Sequence, residues 1–106
     1  MQLGHGMPAI PKVLELGYRP SLSVDVETNQ PGDMFTRMHA CFALQRVLVN
    51  QKYLFPAAPP AGALLTVRDV LELVTSEGAR ANGLADKIGR LTPGKEADAE
   101  PLQPVP

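Results

Sequence analysis

The sequence points to a mainly helical chain with a few short strands. Three stretches, residues 9–17, 33–51 and 66–83, space their apolar side chains at three and four, the period of a helix buried along one side. One short stretch, residues 21–26, alternates apolar and polar instead, the period of a half-buried strand. Segments rich in Pro and Gly separate these, and 44% hydrophobic content over 106 residues is enough for one modest core. Only 5% of the residues are aromatic and none is Trp, so that core rests on Leu, Val, Ala and Met, which bury less area per residue than aromatic rings do.

Taken in order, residues 9–17 carry Ile10, Val13, Leu14 and Leu16 at helical spacing. Pro11 is tolerable there only in the first turn, and Gly17 is the stop. Tyr18-Arg-Pro20 leads into the strand, where Leu22, Val24 and Val26 alternate with Ser21, Ser23 and Asp25. Asn29-Gln-Pro-Gly32 has turn chemistry, and Asp33 caps a helix whose Met34, Phe35, Met38, Phe42, Gln45 and Val49 trace an uneven apolar face. The methionines there read as packing. Residues 54–63 hold three prolines, which deny both helix and central strand and mark a crossing loop or linker. Beyond them Thr66 and Asp69 stand as a capping-box pair for a helix with Val67, Val70, Leu71, Val74 and Ala79 at helical spacing, ended by Gly83. The chain closes on a tail with Pro101, Pro104 and Pro106, expected to be disordered or polyproline-like.

Charge excludes more than it suggests. Ten basic and eleven acidic residues leave a net charge of −1, with the basic ones scattered among acids, so there is no electrostatic footprint for nucleic acid. No apolar run approaches the ~18 residues a membrane span needs, and Met1 is not followed by a signal-peptide pattern. A single cysteine, Cys41, allows no internal disulfide and reads as a buried, inert thiol, consistent with a cytoplasmic protein.

The chemistry-bearing residues are few. Asp25 lies where the strand gives way to a polar loop, and a carboxylate in that place either accepts hydrogen bonds from the loop 26–32 or faces a cleft as a metal ligand or base. The only other metal-competent nitrogen and sulfur donors are His5, His39 and Cys41, so no His-x-His, His-x-x-x-His or Cys-x-x-Cys spacing exists. His39, on the helix 33–51, reads as a helix-surface or interface histidine.

Two motifs, Ser21-Leu-Ser-Val-Asp-Val26 and Gly89-Arg-Leu-Thr-Pro-Gly-Lys-Glu-Ala-Asp98, sit in an order that begins with Gly4-His-Gly-Met-Pro8 and includes Asp33-Met-Phe and Ala79-Arg-Ala-Asn-Gly83. Over residues 1–98 this order resembles the C-terminal part of an amidohydrolase-superfamily enzyme of the cytosine deaminase and chlorohydrolase type. The resemblance implies α/β ancestry: the last βα units of a TIM-barrel metallohydrolase in residues 1–53, a Pro/Ala-rich loop in 54–65, a C-terminal helix and β-sandwich hairpin in 66–98, and the tail 99–106. It makes residues 87–97 a returning hairpin turned at Pro93-Gly94.

The same resemblance makes Asp25 the metal ligand that also handles the proton of the attacking water, and makes His5 a substrate-pocket or loop residue. The implied cofactor is a divalent metal, zinc or iron, and the implied reaction is hydrolysis of a C–N or C–Cl bond in a small heterocycle or amide. The family's remaining metal ligands, a His-x-His pair and further histidines, have no counterpart in this sequence, which is the expectation for a truncated and inactive piece. The alternative is a noncatalytic, mainly helical domain that folds as a homo-oligomer, because strands without neighbours leave open edges.

Overall fold

The computed structural model describes residues 6–25, 32–54, 63–96 and 99. Four helices follow one another: α1 (Ile10–Glu15), α2 (Met34–Gln51), α3 (Val67–Val74) and α4 (Ser76–Ala81). α1 and α3 both pack against α2, and α4 packs against α3.

Helix ends are set by short-range chemistry. In α1, Pro11 occupies the first turn, where its missing N–H leaves no bond unmade. The helix closes in a Schellman motif: the Tyr18 amide donates to the Val13 carbonyl at 3.2 Å and the Gly17 amide to Leu14 at 3.0 Å, with Gly17 at φ 80°. Asp33 caps α2 by accepting from the Thr36 amide at 2.7 Å and from its hydroxyl at 2.6 Å. α3 opens with a full capping box, in which the Asp69 amide donates to Thr66 Oγ1 at 3.2 Å and the Thr66 amide to Asp69 Oδ2 at 2.8 Å.

The stretch 66–83 is two helices rather than one. The break falls at Thr75, with φ −109° and ψ −87°. Thr75 Oγ1 donates to the Leu71 carbonyl at 2.7 Å and Ser76 Oγ to Glu72 at 3.4 Å, and such back-bonding by adjacent hydroxyl residues bends a helix. The corner is then filled from outside. Gly89, at φ 89°, approaches so closely that a β-carbon would stand 2.7 Å from Ala79 Cβ and 3.1 Å from the Thr75 carbonyl oxygen. α4 ends like α1, with Leu84 donating to Ala79 at 2.8 Å and Gly83 to Arg80 at 3.1 Å.

No strand forms among the described residues, which corrects two expectations. Residues 21–25 form no regular secondary structure but keep the alternation, Leu22 and Val24 half-buried and Ser21, Ser23 and Asp25 exposed. Among the described residues their one backbone bond to another element runs from the Leu22 amide to the Leu73 carbonyl at 3.4 Å. A ladder needs a neighbouring strand, and a helix end offers a single acceptor in its place. Residues 87–96 form no hairpin ladder either. Pro93-Gly94 does turn the chain, with the Lys95 amide donating to Thr92 at 3.1 Å across it, but beyond that turn a single backbone bond, from the Glu96 amide to Lys87 at 2.9 Å, joins the two arms among the described residues. Pro93 has no donor, and Gly89 and Gly94 hold positive φ, which interrupts regular pairing.

Ile10, Leu65, Val70 and Leu73 are the buried cluster, with Leu14, Leu22, Met38, Cys41 and Phe42 packed on it. Residues on both sides of the Pro-rich stretch therefore share one core. The α3 face that turns inward is Val70 and Leu73, while Val67 and Leu71 point outward at 65% and 46% exposure. Gln45, at 1% exposure, ties the returning chain to α2. Its Nε2 donates to the Ala63 carbonyl at 3.2 Å and its Oε1 accepts from the Leu65 amide at 3.1 Å. Among the described residues no helix is long and apolar enough to cross a membrane.

Candidate functional site

Asp25 follows residues 21–24, a stretch held to its surroundings on either side and at Leu22 and Val24. Before it, the Arg19 guanidinium reaches three carboxylates on α3 and α4: Glu72 at 3.0 Å, Glu77 at 3.4 Å and Asp69 at 3.5 Å. Leu22 packs on the core and bonds Leu73. At the far end Arg37, one turn into α2, donates from Nη2 to the Val24 carbonyl at 3.0 Å. The Asp25 amide donates to Ser23 Oγ at 3.2 Å, and Asp25 itself is exposed with φ 61°. The carboxylate thus projects from a segment whose apolar members are held down.

Of the other expected site residues, His5 lies outside the described residues, as do Ala97 and Asp98 and residues 26–31 of the loop after Asp25. His39 is exposed on α2 and Cys41 half-buried on it. Burial pushes the Cys41 thiol up, which opposes the thiolate a metal requires. Among the described residues no three His, Cys, Asp or Glu side chains gather at one point, whereas a catalytic zinc takes three protein ligands and a water. The described residues therefore do not make up a metal centre.

Two arginines that the sequence reading passed over, Arg19 and Arg37, do the holding. Neither carries a motif. Arg19 acts on residues fifty and more positions away and Arg37 on a carbonyl 13 positions back, and separations of that kind follow from the fold alone. A hollow of about 350 Å³ between α1 and α2, lined by Pro8, Pro11, Lys12, Leu48, Gln51 and Lys52, shares no residue with the Asp25 segment.

Comparison with known proteins bears on what that carboxylate belongs to. The model of the amidohydrolase family matches residues 1–104. The chain is 35% identical over 92% of its length to a 5-methylthioadenosine/S-adenosylhomocysteine deaminase of Syntrophobacter fumaroxidans, covering 20% of that protein. It is 34% identical over 92% of its length to a protein of the same name from Desulforudis audaxviator, covering 21%. An S-triazine hydrolase of Gordonia rubripertincta is 28% identical over 91% of the chain, which covers 18% of it. The chain spans about a fifth of the length of these relatives. No solved structure matches it. With a family model covering nearly all of the sequence and curated relatives aligned along more than nine-tenths of it, the chain belongs to the amidohydrolase family.

Proposed function

We propose that this chain contributes one corner of a hydrolytic site, with Asp25 as a ligand to a divalent metal and as the group that takes the proton of the attacking water. The other donors come from protein beyond these residues, and the chain alone does not turn over substrate. What supports this is the placement of Asp25: an exposed carboxylate at the end of a segment whose apolar partners are packed down, in a chain that matches the amidohydrolase family over residues 1–104. In whole enzymes of this kind a metal supplies the water in activated form, and a carboxylate beside it takes the proton.

The bond broken is a C–N or C–Cl bond of a small heterocycle or amide. The relatives' names, a deaminase of adenine-bearing compounds and a hydrolase of an s-triazine, support a nitrogen heterocycle among these. The test is a cobalt(II) titration of the labelled chain, in which Asp25 is the expected centre of the effect and Asp25→Asn abolishes it.

A second reading, self-association without catalysis, draws on α2. Val47 is 58% exposed on the side opposite the buried Gln45 and Val49, with Ala40, Ala43 and Leu44 half-buried beside it. A second copy of the chain would cover it, and this reading is compatible with the first.

A further inference from the structure

We infer that Arg37 is a positioning residue for Asp25, setting the direction in which its carboxylate leaves the chain. The inference rests on the reading of Asp25 as the functional carboxylate. Among the described residues Asp25 is the one non-glycine residue with positive φ, at 61°. Aspartate visits that region more readily than most residues but at a cost, and such conformations persist where the surroundings over-determine them.

The surroundings here act on a single peptide unit, the one joining Val24 to Asp25. Its carbonyl oxygen accepts from Arg37 Nη2 at 3.0 Å, and its amide donates to Ser23 Oγ at 3.2 Å. The unit is therefore pinned at both polar ends. The plane flips by a coupled change of Val24 ψ and Asp25 φ, so holding both polar ends resists the peptide flip by which Asp25 would leave positive φ.

The two pins differ in what stands behind them. Ser23 is a neighbour on the same exposed segment and carries no rigidity of its own. Arg37 belongs to an eighteen-residue helix anchored in the core through Met38, Phe42, Gln45 and Val49. Its guanidinium is part-buried, and a charge-assisted donor to a carbonyl is stronger than a neutral one. Its Nε is buried with no partner among the described residues, so Val24 is the described contact that orients the head group. Arg37 thereby transmits the order of α2 to the peptide beside Asp25, the supporting role that a functional carboxylate needs from the residues around it.

The test reads the conformation directly in the full, isotopically labelled chain without metal. At positive φ the amide and α protons of a residue lie on the same side, giving an intense intraresidue cross-relaxation signal. Wild type is expected to show it at Asp25. Arg37→Met, which keeps the packing of the stem but removes the donors, is expected to lose it while helical content is unchanged, and Arg37→Lys to restore it in part. Ser23→Ala, at an exposed position that cannot unfold the core, is expected to weaken it. An undiminished signal in Arg37→Met, or a signal lost equally in Arg37→Lys, overturns the inference. Metal binding is read separately: a wild-type chain that behaves as expected here but shows no Asp25-centred metal effect sinks the ligand reading and leaves the positioning role standing.

Discussion

Gln45 uses both ends of one side-chain amide to hold the chain that returns from the Pro-rich stretch, giving Nε2 to Ala63 and taking the Leu65 amide on Oε1. The Leu65 amide, on a residue 4% exposed, would otherwise lack a partner beside a Gln45 only 1% exposed. Leaving a buried donor or acceptor unsatisfied costs about 1–3 kcal/mol. Gln45→Leu is therefore expected to lower stability by about that amount, despite gaining apolar surface, as a shift in the denaturation midpoint. An unchanged or raised midpoint would show that Ala63 and Leu65 find other partners. At this scale the helical spacing alone placed Gln45 on the inner face of its helix, and alternation placed Asp25 at the end of its segment. Arg19 and Arg37 were not legible, because a surface arginine and a clasping arginine look alike until the fold brings their acceptors near.

Capping chemistry was the most legible part of the elements. Asp33 before α2 and the Thr66/Asp69 pair before α3 stand where local sequence put them, because a cap involves residues only three positions apart. The strands failed for the complementary reason: the alternation at 21–25 is present, but a ladder depends on neighbours that the described residues do not supply. Thr75 divided one expected helix into two through side-chain bonds that compete with helical geometry.

The caps also carry a pH dependence. Hydrogen bonds from the Thr36 hydroxyl and amide hold the Asp33 carboxyl below its ordinary value. Thr66 does the same for Asp69, with Arg19 adding to it. A carboxyl depressed in the folded state stabilises the fold above its unfolded pKa, about 3.9, and that stabilisation is lost as pH falls through the folded value. The melting temperature is expected to hold steady from about pH 7 to about pH 5 and to fall below about pH 4. Asp33→Asn, still a competent cap, should flatten part of that fall; a melting temperature indifferent to acid in both proteins would contradict the account.

At the scale of the molecule, one small core joins helices from both sides of the Pro-rich stretch, and large apolar side chains remain outside it, Val47, Phe35 and Leu91 among them. In the second reading a second copy of the chain covers such surface. Light scattering is expected to give a mass above that of one chain, and Val47→Glu to return it to the monomer by placing a charge in the contact. A wild-type monomer across the accessible concentrations would remove the second reading.

The central claim is that this chain carries one functional carboxylate of an amidohydrolase site and not the site itself. The cobalt(II) titration of labelled protein, followed residue by residue through paramagnetic broadening of the amides, tests it most directly. The account predicts weak binding with broadening centred on Val24 and Asp25, absent in Asp25→Asn, and no metal retained after desalting. Stoichiometric metal that survives desalting, or broadening that Asp25→Asn leaves in place, would contradict it.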